Sequence, residues 1–256
     1  MSAETEAGER RVALVMGGSR GIGLAIAERL GRDGVRVAVA SRRPEDAVKS
    51  MAESGLEAIA APVDLTNGDP EAGADAALRQ WGRLDICVYA AGANVRKPAT
   101  EITVEEWRTV HRLNLEAAWL TAVACAPAMR ERGWGRILFI SSIQAFLGGY
   151  DFGVRKLPMA AYSSSKAGLL GLMRSLSREW APFGIRVNAL APGFTRTELT
   201  EPMHGDDALN RAITARIPIG RWAEPADMAG IGAWLCSEEA DYITGQALAA
   251  DGGYLS

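Results

Sequence analysis

The chain has 256 residues, 48% of them hydrophobic, and a formal net charge of −3. That is enough apolar material for a large core, and α/β chains of this length often form one domain. Lysines and arginines stand singly or in pairs, so no basic surface is expected for nucleic acid or an anionic membrane.

The first ten residues, MSAETEAGER, are polar and acidic with no apolar stretch. They read as a loose tail rather than a signal peptide, and residues 11–256 as one folded domain. RVALVMG, residues 11–17, is a short and nearly continuous apolar run, the pattern of a buried parallel strand. The turn Gly17, Gly18, Ser19, Arg20, Gly21, Ile22, Gly23 follows, and Ile22, Ile26, Ala27 and Leu30 then recur at helical spacing until Gly31 and Gly34. On such a strand-to-helix turn, backbone N–H groups and the helix dipole can receive a pyrophosphate. The glycine spacing differs from the G-x-G-x-x-G of the standard dinucleotide fingerprint.

A second strand is predicted over 35–40. It ends at Ser41, Arg42 and Arg43, where an NAD site would place an acid for the ribose 2′-hydroxyl. With Arg20, these cations suit an adenosine 2′-phosphate, so NADP(H) is expected over NAD(H). Glu45 and Asp46 open the next helix, where acids suit its dipole. Further strands are predicted over 57–63, 84–90, 136–141, 185–190 and 246–250, with helical patterns between them. The alternation implies an α/β fold: a doubly wound, Rossmann-like parallel sheet of about seven strands with helices on both faces. The longest apolar stretch, 117–129, is too short to span a bilayer and contains Pro127. Strand 136–141 delivers Ser141 and Ser142 to the C-terminal sheet edge, where open α/β folds bind ligands. Tyr162 and Lys166 then open a long apolar helix and share one of its faces. A free Tyr titrates near ~10; a neighbouring cation lowering it by about 3 units, roughly 4 kcal/mol, would make the phenol a useful acid or base. Cys87, Cys125 and Cys236 lie apart in apolar stretches and read as reduced core thiols of a cytoplasmic protein. His111 and His204 have no partner at ligand spacing, so no metal site is expected.

In order, the glycine turn, Asp64 in PVDLT, YAAG at 89–92, Asn114 in RLNLEAAWL, Ser142, Tyr162 with Lys166, NALAPGFTRT at 188–197 and the ending YITGQALAADGG resemble the short-chain dehydrogenase/reductase family. The resemblance runs from Arg11 to the C-terminus. It implies a strand order of 3-2-1-4-5-6-7 and a homotetramer built through helices at 104–131 and 159–182. By the same resemblance Tyr162 is the general acid/base and Lys166 lowers its pKa and holds the nicotinamide ribose. Ser142 binds the substrate oxygen, and Asn114 anchors a water in a proton relay to Lys166. Implied cofactor contacts are Gly17, Ser19, Arg20, Gly21, Ile22, Gly23, Ser41, Arg42, Arg43, Asp64, Leu65, Ala91 and Gly92, with Pro192, Gly193, Thr195 and Thr197 at the nicotinamide end. Three features depart from the family pattern. Met16 replaces a Thr, and Tyr89-Ala90 replaces Asn-Asn, which reads as exchange of a polar contact for an apolar one. Ser142 and Tyr162 are also unusually far apart, separated by an insert, LGGYDFGVRKLPM, that should border the substrate mouth as either a solvent loop or a specificity loop.

The implied activity is that of an NADPH-dependent carbonyl reductase or alcohol dehydrogenase. GANVRKPATEITVEEW and RIPIGRWAEPADMAG resemble the branch containing gluconate 5-dehydrogenases and deoxygluconate dehydrogenases, so a keto-sugar acid is the leading substrate. Asn94, Arg96 and Lys97 could face its carboxylate, with Gln144, Tyr150 and Phe194 at the substrate side. Reductases of acyl-carrier-protein 3-keto thioesters or of bulky polyketide-type ketones share the general motifs. They would want an apolar mouth, which Phe146, Phe152, Met159, Phe194 and Met203 could build. A non-catalytic NADP-binding sensor is the reading from another class; the presence of Asn114, Ser142, Tyr162 and Lys166 argues against it.

Overall fold

A computed structural model describes residues 10–66 and 69–256. The expected tail, residues 1–10, lies outside them apart from Arg10, which is anchored: its Nε donates to the Gly34 carbonyl at 2.8 Å and it pairs with Glu57 at 2.8 Å.

Seven strands form one parallel sheet: β1 (Val12–Met16), β2 (Arg36–Ser41), β3 (Ala58–Pro62), β4 (Ile86–Tyr89), β5 (Gly135–Ile140), β8 (Ile185–Pro192) and β9 (Ala247–Ala250). Their order is β3-β2-β1-β4-β5-β8-β9, the doubly wound arrangement expected from the sequence. Side chains alternate between the two faces along each strand. Val12, Leu14 and Met16 enter one core and Ala13 and Val15 the other, all fully buried. The first core is closed by α3 (Ala72–Trp81), α5 (Ala117–Glu131) and α6 (Ala160–Trp180). The second is closed by α1 (Gly21–Arg32), α2 (Glu45–Glu53) and α9 (Pro225–Leu235). The order in which strands are added reverses between β1 and β4, and a crevice at such a switch point is where open α/β sheets take ligands.

One helical rod is interrupted where the site needs it. α4 (Val104–His111), started by a capping box of Thr103 and Glu106, runs into α5 through a π-helical turn, Arg112–Glu116. Extra π-turns free a backbone carbonyl and re-aim side chains, and are frequent at functional sites.

The insert after Ser142 is more ordered than a solvent loop. It forms an antiparallel hairpin, β6 (Gly149–Asp151) with β7 (Lys156–Pro158), pairing Tyr150 opposite Leu157. Phe152, Leu157 and Met159 are buried against Phe194, Met203, Leu209, Ile213, Ile217 and Trp222, a third core lying over the strand ends. Met203 belongs to α7 (Glu201–His204), and Leu209 and Ile213 to α8 (Asp207–Thr214). Among the described residues no helix is long and apolar enough to cross a membrane.

Candidate active site

The glycine turn is shaped by contact. Gly17 has φ +76°, and a Cβ there would lie 2.7 Å from the Ala91 nitrogen, so only glycine lets β1 and the Tyr89–Gly92 turn approach this closely. The N-terminus of α1 follows, with no side-chain cap and no acid in its first turn. Its orphan N–H groups are therefore available to an anion. Ile22 of that turn packs against the second core. Arg42 and Arg43 are exposed and make no ion pair among the described residues, and the Ser41 Oγ accepts from the Arg43 N–H at 3.2 Å. Asp64 accepts from Thr66 through both the backbone N–H (2.9 Å) and the hydroxyl (2.6 Å), which hold its carboxyl below the usual range with some help from Arg42. Leu65 is buried beside it.

Arg20 departs from the expectation of a free third cation. It pairs with Glu198, immediately after Thr197, and so bridges from the glycine turn to the opposite lip. Glu198 was missed by the sequence reading; its only signal is an acid at the end of NALAPGFTRTE. On that lip Thr195 is buried and its hydroxyl donates to the Gly193 carbonyl at 3.2 Å, while the Thr197 N–H donates to the Thr200 hydroxyl at 3.0 Å. Pro192 ends β8 and Gly193 donates its N–H to Ala250.

At the strand ends four expected residues do converge. Asn114 sits on the π-turn, fully buried. Its Oδ1 accepts from Ala93 N–H at 2.8 Å, and its Nδ2 donates to the Ala93 carbonyl and the Ser165 hydroxyl, both at 2.9 Å. Ser165 in turn donates to the Tyr162 carbonyl at 2.7 Å. The side chain thus clamps the turn after β4 to the helix carrying Tyr162 and Lys166. A Cβ on Gly92 would lie 3.4 Å from Asn114 Oδ1 and 3.6 Å from Lys166 Nζ, so the two groups meet at that glycine. Lys166 Nζ donates to the Ile140 carbonyl at 2.8 Å and lies 5.7 Å from the Tyr162 ring centroid.

The electrostatics correct one expectation. The Tyr162 phenol stands above its ordinary value rather than below it. Burial pushes it there, and what opposes burial is first the Ser142 hydroxyl and then the Arg96 guanidinium. Lys166 turns its ammonium to the end of β5, and burial lowers its own pKa to about 8. A cation that opposes burial at the phenol stands on the loop after Gly92.

That loop and the short helical turn Ile143–Ala145 carry the expected substrate residues. Arg96 donates to the Leu199 carbonyl at 2.8 Å, while its Nε is buried with no hydrogen-bond partner. Asn94 Oδ1 and Gln144 Nε2 are buried without partners in the same way. Lys97 instead pairs with Glu106 and is removed from the candidate set. Of the proposed apolar mouth, Phe152, Met159, Phe194 and Met203 are buried against one another, holding the hairpin down, and Phe146 stands apart, 47% exposed. Tyr150 packs on Phe194 (5.0 Å between centroids) and on Tyr254 (5.8 Å). Tyr254, unnoticed in the sequence, is the aromatic that follows the final Gly-Gly pair.

The doubly wound sheet, with serine, tyrosine and lysine gathered at its carboxyl edge, defines an oxidoreductase acting on CH–OH and C=O groups. The family whose model matches residues 17–255 is described as enoyl-(acyl carrier protein) reductase. The chain belongs to the short-chain dehydrogenase/reductase family. It is 35% identical over 248 residues to the 2-dehydro-3-deoxy-D-gluconate 5-dehydrogenase of Bacillus subtilis (strain 168), covering 96% of this chain and 95% of that protein. Among solved structures, the TT0495 protein of Thermus thermophilus superposes with a TM-score of 0.89 at 51% identity, over 96% of this chain and 99% of that one. A gluconate 5-dehydrogenase of Burkholderia cenocepacia J2315, in complex with NADP and tartrate, superposes with a TM-score of 0.88 at 31% identity, over 96% and 95% of the two chains.

Proposed function

We propose that the protein is an NADPH-dependent reductase of a ketone on a sugar-acid chain, running in reverse as an alcohol dehydrogenase. The observation that carries the reading is the half-buried Arg96. It has a guanidinium nitrogen without a partner, lies close enough to lower the Tyr162 phenol, and stands on the same loop as the unpartnered Asn94 Oδ1. Buried polar groups are normally hydrogen-bonded. A wall of unpaired donors and acceptors therefore fits a polar, anionic substrate better than a bulky apolar ketone, whose expected lining is already used up in the third core. The gluconate-acting relatives point the same way.

The residues present fit a phosphorylated dinucleotide. The uncapped α1 N-terminus would take the pyrophosphate, Ser41, Arg42 and Arg43 the 2′-phosphate, Asp64 and Leu65 the adenine side, and Ala91, Gly92, Pro192, Gly193, Thr195 and Thr197 the nicotinamide half. When bound, NADPH supplies the hydride for the carbonyl carbon. Ser142 and Tyr162 hold the substrate oxygen, and Tyr162 gives it a proton as negative charge develops there. Lys166, with Asn114 fixing the backbone beside it, resupplies that proton and holds the ribose. The assembly we propose is a homotetramer.

The test is NADPH consumption with 5-ketogluconate and, for comparison, a bulky aryl ketone and an acetoacetyl thioester, each repeated with NADH. Turnover is expected with the keto-sugar acid and NADPH. Arg42→Ala should raise KM for NADPH at least tenfold and leave NADH almost untouched. Preference for the apolar substrates overturns the substrate reading, equal effects on both cofactors overturn the NADPH reading, and NADPH binding without turnover of anything supports the sensor.

A further inference from the structure

Gln144 stands two residues beyond Ser142, on the helical turn that leaves the sheet edge, and is 3% exposed. Its Oε1 accepts from the Ser163 hydroxyl at 2.9 Å, and Ser163 is the residue after Tyr162. That bond fixes which way the amide faces, since exchanging O and N would leave the Ser163 hydroxyl without its acceptor. The amide nitrogen is then directed away from α6, and it is buried with no hydrogen-bond partner.

The group it faces is supplied by the hairpin. Tyr150 occupies the middle of β6, opposite Leu157, and its ring is wedged between Phe152, Phe194 and Tyr254 at centroid separations of 5.2, 5.0 and 5.8 Å. Four aromatic rings in mutual contact leave the phenol little freedom. Burial pushes its pKa far above the ordinary value, only partly offset by the Gln144 amide, so the hydroxyl stays protonated at every working pH. The charge of a Tyr162 phenolate is also felt there. The Gln144 N–H is thus turned towards the Tyr150 hydroxyl oxygen, beyond ordinary hydrogen-bond distance, and both it and the Tyr150 O–H are left to donate beside the reacting phenol.

We propose that Gln144 and Tyr150 form a hydroxyl-reading pair. It receives one oxygen of the substrate, on the carbon chain next to the carbonyl held by Ser142 and Tyr162, and makes the enzyme selective for hydroxylated ketones. The pair deepens the sugar-acid reading but rests on different residues, since the carboxylate belongs to Arg96. Both members donate, so the oxygen they receive must accept twice, which a hydroxyl can do while keeping its own proton to give elsewhere. An apolar ketone placed there would leave both buried donors unpaired. Sites built to hydrogen-bond a hydroxyl discriminate strongly against analogues that lack it.

The experiment compares two four-carbon ketones without a carboxylate, the hydroxylated erythrulose and 2-butanone, which has no second oxygen, with 5-ketogluconate as a third substrate. The kcat/KM ratio of erythrulose to 2-butanone should fall at least tenfold in Tyr150→Phe and in Gln144→Leu. Because the two groups hold one oxygen, the double variant should lose little more than either single one. Tyr150→Phe keeps every ring contact of the hairpin, so it remains informative if Gln144→Leu fails to fold. A ratio within twofold of the parent in Tyr150→Phe overturns the pair, whatever happens to absolute rates. Failure of 5-ketogluconate to outperform erythrulose instead overturns the carboxylate reading at Arg96 and leaves the pair standing.

Discussion

Two opposing influences meet at the Tyr162 oxygen. Burial favours the neutral phenol, and the Ser142 hydroxyl and Arg96 favour the phenolate. In the mechanism proposed above, alcohol oxidation needs the phenolate, so its rate should rise with pH through the Tyr162 pKa, and ketone reduction needs the phenol and should fall over the same range. Removing the guanidinium leaves burial less opposed, so the folded pKa moves further up. In Arg96→Leu the rising limb of oxidation and the falling limb of reduction should therefore both shift to higher pH, by about half to one unit, or ~1 kcal/mol of lost phenolate stabilisation. Lys166, lowered to about 8 by burial, adds a limb of its own that this substitution leaves in place. Rate profiles from pH 6 to 11 with saturating cofactor read the difference. An unmoved Tyr162 limb would mean that Arg96 serves only the substrate or the Leu199 carbonyl.

The π-turn that aims Asn114 is held by a residue from another element. The Tyr89 ring is fully buried at the end of β4, and its hydroxyl donates to the Leu113 carbonyl at 2.6 Å, within the irregular turn itself. The Tyr89-Ala90 pair thus keeps a polar link rather than replacing one by apolar packing, and it ties the sheet to the rod bearing Asn114. Tyr89→Phe conserves the ring but leaves a buried carbonyl unsatisfied, a cost of about 1–3 kcal/mol. The urea unfolding midpoint should fall accordingly with the slope unchanged; a cost under ~0.5 kcal/mol would show the bond to be idle. This contact marks where sequence reading stops. Short, nearly continuous apolar runs alternating with helical patterns made the seven strands legible, and helical spacing placed Tyr162 and Lys166 on one face. Both signals are local. The Tyr89–Leu113 bond, the Arg20–Glu198 bridge and the seating of the hairpin on Phe194 join residues 24, 178 and about 40 positions apart. The sign of the Tyr162 shift was misread for a related reason. Spacing reports that Lys166 is near, but not that its ammonium is turned to the Ile140 carbonyl and that desolvation wins.

At the scale of the molecule, one outer face is unlike the rest. α4 and α5 present Val104, Trp107, Trp119 and Val123, exposed by 57%, 41%, 45% and 39%, and Trp107 and Trp119 line a hollow of about 860 Å³ together with Leu115, with Gly168 and Leu172 of α6, and with Arg108, His111, Arg112 and Glu116. Large apolar side chains exposed together and rimmed by polar ones mark an interaction site. We propose that a second copy covers it through a two-fold axis, the self-complementary arrangement most soluble homo-oligomers use. This agrees with the assembly the family resemblance implies. The catalytic helix α6 contributes directly: Ser164, two residues from Tyr162, contacts the His111 ring at 3.1 Å, and that ring stacks on Trp107 at 4.3 Å. Association would then brace the rod and helix that Asn114 clamps together, coupling subunit concentration to stability. Trp107→Glu combined with Trp119→Glu should halve the mass measured by light scattering, or reduce it further, while leaving the far-ultraviolet circular dichroism of the fold intact. In the parent the thermal midpoint should rise with protein concentration, and in the double variant it should not. A parent already monomeric at micromolar concentration overturns the interface, because two half-exposed tryptophans would then be free surface and contacts within one chain would suffice to hold rod and helix together.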